Sequence, residues 1–126
     1  MTNTTEPTNL RQARVLIVED EPFIALNLAL AVQQASGELV GPATTIREAL
    51  ELISKDGIQA AILDVNLPDG HIGPVLEALG PTVAIVVHTG VGLPLILQAR
   101  FSHIPVFPKP TAPEVLTSQL VQAIRR

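Results

Sequence analysis

Five polar side chains of types that suit phosphoryl transfer follow four short apolar runs of the sequence. The runs span residues 15–18, 60–63, 83–87 and 104–107. The polar residues are, in chain order, Glu19 and Asp20, Asp64, Thr89 and Lys109. If the runs are parallel strands of one sheet, their carboxyl ends meet at the edge where open α/β sheets bind ligands. The sequence therefore predicts one polar site assembled from distant positions.

The acidic members of this set predict a metal site. Glu19 and Asp20 are adjacent, and Asp64 follows a second apolar run. Carboxylates are hard oxygen ligands for an octahedral cation such as Mg²⁺, which takes few of them and keeps several waters. Taken alone, the run Glu19-Asp20-Glu21 is equally typical of a solvated helix start, where acids complement the helix dipole.

The remaining polar residues suggest how a phosphoryl group would be accepted. A carboxylate beside a cation can attack phosphorus in line, which makes Asp64 the candidate nucleophile, although a turn is the alternative for this residue. We expect Thr89 to donate its hydroxyl to a phosphoryl oxygen. We expect Lys109 to pair with Asp64 at rest and with the phosphoryl group afterwards. Pro110 follows Lys109 and allows a cis peptide bond there.

The segments between the apolar runs have helical periodicity, so the chain predicts repeated βα units with five strands and five helices. The first helix should begin at Pro22 and present Phe23, Leu26 and Leu30 on an apolar face, with Val32 as a further candidate. The fourth should be short or irregular, because two glycines and a proline occupy residues 89–94. A capping box of Thr111 and Glu114 should start the fifth.

The composition bounds the class of protein. The 126 residues fit one domain, and 47% hydrophobic residues with a mean hydropathy of +0.38 favour strands buried on both faces. We expect a flexible leader over residues 1–12 and a domain over 13–126. A net charge of −4 without a basic cluster argues against direct DNA binding. The absence of a long apolar stretch argues against membrane insertion, and a cytoplasmic location is the expectation.

Several motifs resemble the receiver domain of bacterial two-component response regulators. They are Val15-Leu16-Ile17-Val18-Glu19-Asp20-Glu21-Pro22, Leu63-Asp64-Val65-Asn66-Leu67-Pro68-Asp69-Gly70, His88-Thr89-Gly90 and Pro108-Lys109-Pro110. The resemblance implies an α/β, flavodoxin-like, doubly wound five-stranded parallel sheet of order 2-1-3-4-5. It also implies that Asp64 is the phosphoacceptor, Asp20 a direct Mg²⁺ ligand, Glu19 a ligand through water and the Asn66 backbone carbonyl a further ligand. Thr89 and Lys109 take the roles given above.

By this resemblance the chain is expected to be a stand-alone, single-domain response regulator, or a receiver excised from a larger protein. It would accept a phosphoryl group from a histidine kinase or a histidine phosphotransfer protein. It would then signal by altered protein contacts or act as a phosphate shuttle or sink. Beyond self-catalysed phosphotransfer and autodephosphorylation, no enzyme activity is expected.

One departure from the family pattern keeps an alternative open. Receivers usually carry an aromatic ring three residues before the lysine, where this chain has Val106. A degenerate receiver that binds or dimerises without phosphorylation is therefore the main alternative. A second alternative, a phosphohydrolase with an aspartyl-phosphate intermediate, is disfavoured. Such enzymes usually need an acid two residues after the nucleophile, where this chain has Asn66. The sequence is compatible with a homodimer through the fourth and fifth helices and with a monomer.

Overall fold

A five-stranded parallel sheet forms the centre of the computed structural model, which describes residues 9–124. The strands of the chain are β1 (Arg14–Val18), β2 (Glu38–Ala43), β3 (Ala60–Leu63), β4 (Asn66–Leu67), β5 (Gly70–His71), β6 (Ala84–Thr89) and β7 (Val106–Pro108). The main sheet has the order β2-β1-β3-β6-β7, and every neighbouring pair in it is parallel. This confirms the predicted order 2-1-3-4-5.

Five helices cover both faces of this sheet, as predicted. They are α1 (Pro22–Gln34), α2 (Ile46–Lys55), α3 (Gly73–Leu79), α4 (Leu95–Arg100) and α5 (Pro113–Ile124). One core lies between the sheet and α2, α3 and α4, and a second lies between the sheet and α1 and α5. Burial on both faces is the physical reason why the strands are nearly continuous apolar runs.

The short strands β4 and β5 were not predicted. The segment around Pro68 and Asp69 has turn chemistry, and it closes a two-stranded antiparallel hairpin in which Asn66 pairs with His71.

The helix starts follow from local hydrogen bonds. The Glu21 carboxylate accepts from the Ile24 amide at the start of α1, and the Thr45 hydroxyl accepts from the Glu48 amide at the start of α2. The predicted capping box of α5 is wrong. The helix begins at Pro113, so Thr111 lies before the cap position, and its hydroxyl donates to the Pro108 carbonyl instead.

Three residues of the apolar face predicted for α1 point outward, whereas the fourth, Val32, is buried. Phe23 is 76% exposed and Leu26 55% exposed, and Leu30 is also exposed. The side of α1 that packs on the sheet consists of smaller or differently spaced residues, namely Ala25, Leu28, Ala29, Ala31 and Val32. The prediction failed because α1 is apolar on more than one side, so periodicity alone does not select the buried one.

The predicted leader is corrected at its carboxyl end. Leu10 is 1% exposed and belongs to the core under α1 and α5. Its amide donates to the Ala35 carbonyl, and the Gln12 amide donates to the Ser36 carbonyl. The fold therefore includes Leu10, whereas residues 1–8 of the predicted leader lie outside the described residues.

The fourth helix has only six residues, which confirms the prediction of a short helix. Among residues 9–124, no helix is both long enough and apolar enough to cross a bilayer.

Candidate functional site

Three carboxylates meet at the carboxyl edge of the sheet. Glu19 follows β1 and Asp64 follows β3, and the register pairs the preceding residues, Val18 and Leu63. One carboxylate oxygen each of Glu19, Asp20 and Asp64 lies within 4.8 Å of the others. The structure thus brings together the three acids that the sequence predicted to share a site.

The ammonium of Lys109 lies between two of these acids. Its Nζ is 3.0 Å from Oδ2 of Asp64 and 2.9 Å from Oε1 of Glu19, and it donates a hydrogen bond to each carboxylate. The following peptide bond, Lys109-Pro110, is cis. The sequence predicted the pair with Asp64 but missed the pair with Glu19, because nothing in the spacing shows that Lys109 reaches a second strand end.

Burial and the ion pairs shift the pKa values of this group. Desolvation raises the pKa of Glu19 above its usual value, and it outweighs the hydrogen bonds from Lys109 and the Glu21 amide. For Lys109, burial lowers the pKa, but the bonds to Glu19 and Asp64 together outweigh it, so the net shift is upward. Lys109 is therefore a cation held against two acids.

Backbone amides hold the two buried acids in place. The Val65 amide donates to Oδ1 of Asp64 at 2.7 Å, and the Glu21 amide donates to Oε2 of Glu19 at 3.1 Å. Oδ1 of Asp64 thus faces its own backbone and Oδ2 faces Lys109. This leaves the Asp64 carboxylate oriented by two different partners.

The donor set fits Mg²⁺. Glu19 is 1% exposed, yet its Oε1 accepts no well-aligned hydrogen bond from the described residues, although Lys109 is close enough for an ion pair. Asp20 is exposed to solvent, which leaves room for the water molecules that Mg²⁺ retains. Three carboxylates against one ammonium also leave an excess of negative charge when all are ionised.

Thr89 and Asn66 lie near this edge with less defined roles. Thr89 is buried at the end of β6, and its Oγ1 accepts from the Val91 amide, so its proton remains available for another acceptor. Asn66 lies in β4, two residues after Asp64, with an exposed side chain. A role of its carbonyl as a ligand stays a prediction.

Sequence reasoning gave no definite role to two further residues. His88 is 4% exposed, and its Nε2 accepts from the Thr111 amide, in the turn that follows Lys109. The Asp69 carboxylate accepts from the Ile46 and Arg47 amides and so caps α2 from the β4–β5 hairpin. Sequence reasoning recognises a helix cap from residues next to the start of the helix. It missed Asp69 because this residue lies 22 and 23 positions from the amides that it caps.

Comparisons with known proteins identify relatives of this arrangement. The response regulator PhyR from Brucella abortus superposes with a TM-score of 0.76 at 31% identity, over 94% of this chain and 50% of that chain. The receiver (REC) domain of PhyR from Erythrobacter litoralis superposes with a TM-score of 0.78 at 26% identity, over 90% of each chain. These likenesses confirm the predicted receiver-domain fold.

A curated protein is similar over a shorter stretch. The phyllosphere-induced regulator PhyR of Methylorubrum extorquens is 38% identical over 60 residues, which cover 47% of this chain and 22% of the regulator. No protein-family model matches the chain. The chain spans half or less of the length of these two PhyR proteins from Brucella and Methylorubrum.

Proposed function

We propose that this chain, which is a receiver domain of the response-regulator type, accepts a phosphoryl group on Asp64 from a phosphohistidine of a histidine kinase or a histidine phosphotransfer protein. The observation that carries the proposal is the bridge from Lys109 to both Glu19 and Asp64. A carboxylate that is oriented, paired with a cation and reachable at the sheet edge has the properties of an in-line nucleophile.

The transfer forms one bond and breaks another. An oxygen of Asp64 attacks phosphorus, the phosphorus–nitrogen bond of the donor breaks, and the leaving imidazole takes up a proton. Lys109 moves from the carboxylate to the transferred group as charge passes to it, and Thr89 donates its hydroxyl to a phosphoryl oxygen. Glu19, Asp20, Asp64 and the Asn66 carbonyl would hold Mg²⁺, which when bound neutralises charge on the phosphoryl oxygens.

The chemical output of this step is charge. An acyl phosphate carries about −1.5 to −2 at neutral pH in place of the single charge of the ionised carboxylate, and it competes with Glu19 for Lys109. The unphosphorylated and phosphorylated states, in which Lys109 has different partners, therefore favour different positions of the turn that carries Lys109. We propose that a partner protein senses this difference, and that turnover is limited to self-catalysed transfer and autodephosphorylation.

The direct test is incubation with acetyl phosphate and Mg²⁺, followed by intact mass measurement of a hydroxylamine-labile adduct. The expected result is an adduct in the wild type and in Glu51→Gln, a matched exposed acid, and none in Asp64→Asn or without Mg²⁺. Absence of an adduct under every condition would remove the phosphoacceptor proposal and favour a receiver that binds partners without phosphorylation.

A further inference from the structure

A buried imidazole lies beside the turn that carries Lys109. His88 is in β6, where Val86 two residues earlier packs in the core under α1 and α5. Residues two apart on a strand point to the same face, so His88 occupies a place at the end of an apolar row. An apolar side chain would fill this place without any polar group to satisfy, so the polar atoms of His88 need a structural reason.

A hydrogen bond to the turn after Lys109 explains why a polar side chain is buried at position 88. Its Nε2 accepts from the Thr111 amide at 3.3 Å, and so joins the end of β6 to the turn that follows β7. The next residue of β6 contributes a second tie, because the Thr89 carbonyl accepts from the Lys109 amide at 2.9 Å. Two consecutive residues of β6 therefore bind the two ends of the segment 109–111.

This arrangement specifies the state of the imidazole. An Nε2 that accepts from an amide carries no hydrogen, so the ring hydrogen is on Nδ1. Nδ1 is buried and has no hydrogen-bond partner among the described residues. The ring thus keeps one buried donor, Nδ1–H, unsatisfied, which costs free energy. This cost favours a structural role for the bond between Nε2 and the Thr111 amide.

We infer that His88 is a positioning residue for Lys109: its Nε2 holds the Thr111 amide and thereby keeps the Lys109 ammonium within reach of Asp64. The inference rests on the proposed function only in that Lys109 assists phosphoryl transfer. Without an acceptor at residue 88, the bond from the Lys109 amide to the Thr89 carbonyl is the remaining hydrogen bond between β6 and residues 109–111 among the described residues, and the ammonium spends less time at Asp64.

Two variants separate the hydrogen bond from the volume of the ring. His88→Leu fills the space and accepts nothing, whereas His88→Gln offers a side-chain carbonyl to the Thr111 amide. The rate of adduct formation with acetyl phosphate and Mg²⁺ should fall by about tenfold in His88→Leu, the size of effect expected for one lost hydrogen bond. It should return to within about threefold of the wild type in His88→Gln. Equal rates in the two variants would overturn the inference.

A second measurement does not depend on phosphorylation. In the metal-free wild type, ¹⁵N NMR of the imidazole should show the tautomer with hydrogen on Nδ1, and the Thr111 amide should be protected from exchange. The Nε2–H tautomer, or an unprotected amide, would overturn the inference even if His88→Leu fails to fold. If the wild type forms no adduct, the proposed function fails, while these NMR data still decide whether His88 holds the turn.

Discussion

Nζ of Lys109 and Oδ2 of Asp64 lie 3.0 Å apart although 45 positions separate the two residues in the chain. The parallel strands β3 and β7 end at the same edge of the sheet, and this shared edge makes the contact geometrically possible. The same ammonium also pairs with Glu19. The Lys109 ammonium and a bound metal ion would therefore compete for the same two carboxylates. The ammonium should therefore weaken metal binding.

Lys109→Met should bind Mg²⁺ more tightly than the wild type, by roughly tenfold, because a like charge a few ångströms away opposes a cation by on the order of 1 to 4 kcal/mol. Isothermal titration calorimetry of the metal-free protein measures this difference. The matched control is Lys55→Met in the last turn of α2. Unchanged or weaker Mg²⁺ binding in Lys109→Met would contradict the placement of the metal at these carboxylates.

Leu10→Ala should lower the free energy of unfolding by about 2 to 5 kcal/mol, the range for truncating a buried leucine. Leu10 is almost completely buried although it lies before the first strand. Urea denaturation followed by circular dichroism measures the change. Leu95→Ala serves as control, because Leu95 is 81% exposed and its truncation should cost less than about 0.5 kcal/mol. Similar costs for the two variants would contradict the packing of Leu10.

Phe23→Ser should leave the free energy of unfolding within about 0.5 kcal/mol of the wild type, because the ring faces solvent and the two residues have similar helix propensities. Leu28→Ala, on the buried side of the same helix, should cost about 2 to 5 kcal/mol. Chemical denaturation of both variants decides the orientation of α1. A large loss from Phe23→Ser would mean that this side packs against the protein.

Asp69→Asn should lower the melting temperature at neutral pH, and the difference from the wild type should shrink in acid. Hydrogen bonds from the Ile46 amide first, and then from Arg47, lower the pKa of Asp69 below the ordinary value of 3.8. A lowered pKa in the folded state stabilises the fold above the unfolded value, and this stability is lost as the pH falls through the folded value. Thermal melts of both proteins between pH 7 and about pH 3 test this.

The matched control for this series is Glu51→Gln, which changes an exposed acid within α2, the helix that Asp69 caps. Its melting temperature should follow that of the wild type at neutral pH. A constant difference in melting temperature between Asp69→Asn and the wild type across the whole pH range would contradict this prediction. It would show that the charge of Asp69 does not stabilise the fold through its hydrogen bonds with α2.

The order of the elements and the identity of the acidic site could be predicted from the sequence, because both depend on local patterns. Buried parallel strands are short apolar runs, and a polar residue directly after such a run lies at the sheet edge. This reasoning predicted that Glu19, Asp20 and Asp64 would share a site with Lys109. The short α4 was predictable for a similar reason, since glycine and proline restrict the backbone locally.

Tertiary packing decided what these patterns leave open. Helix α1 is apolar on more than one side, so only its packing on the sheet shows that Leu28 is buried and Phe23 is not. The hydrogen bonds that the Thr111 amide donates to His88 and the Ile46 amide donates to Asp69 join positions more than 20 residues apart. Such contacts depend on how elements approach each other in space. Sequence alone determined which groups reach the sheet edge, whereas the packed structure decided which of them touch.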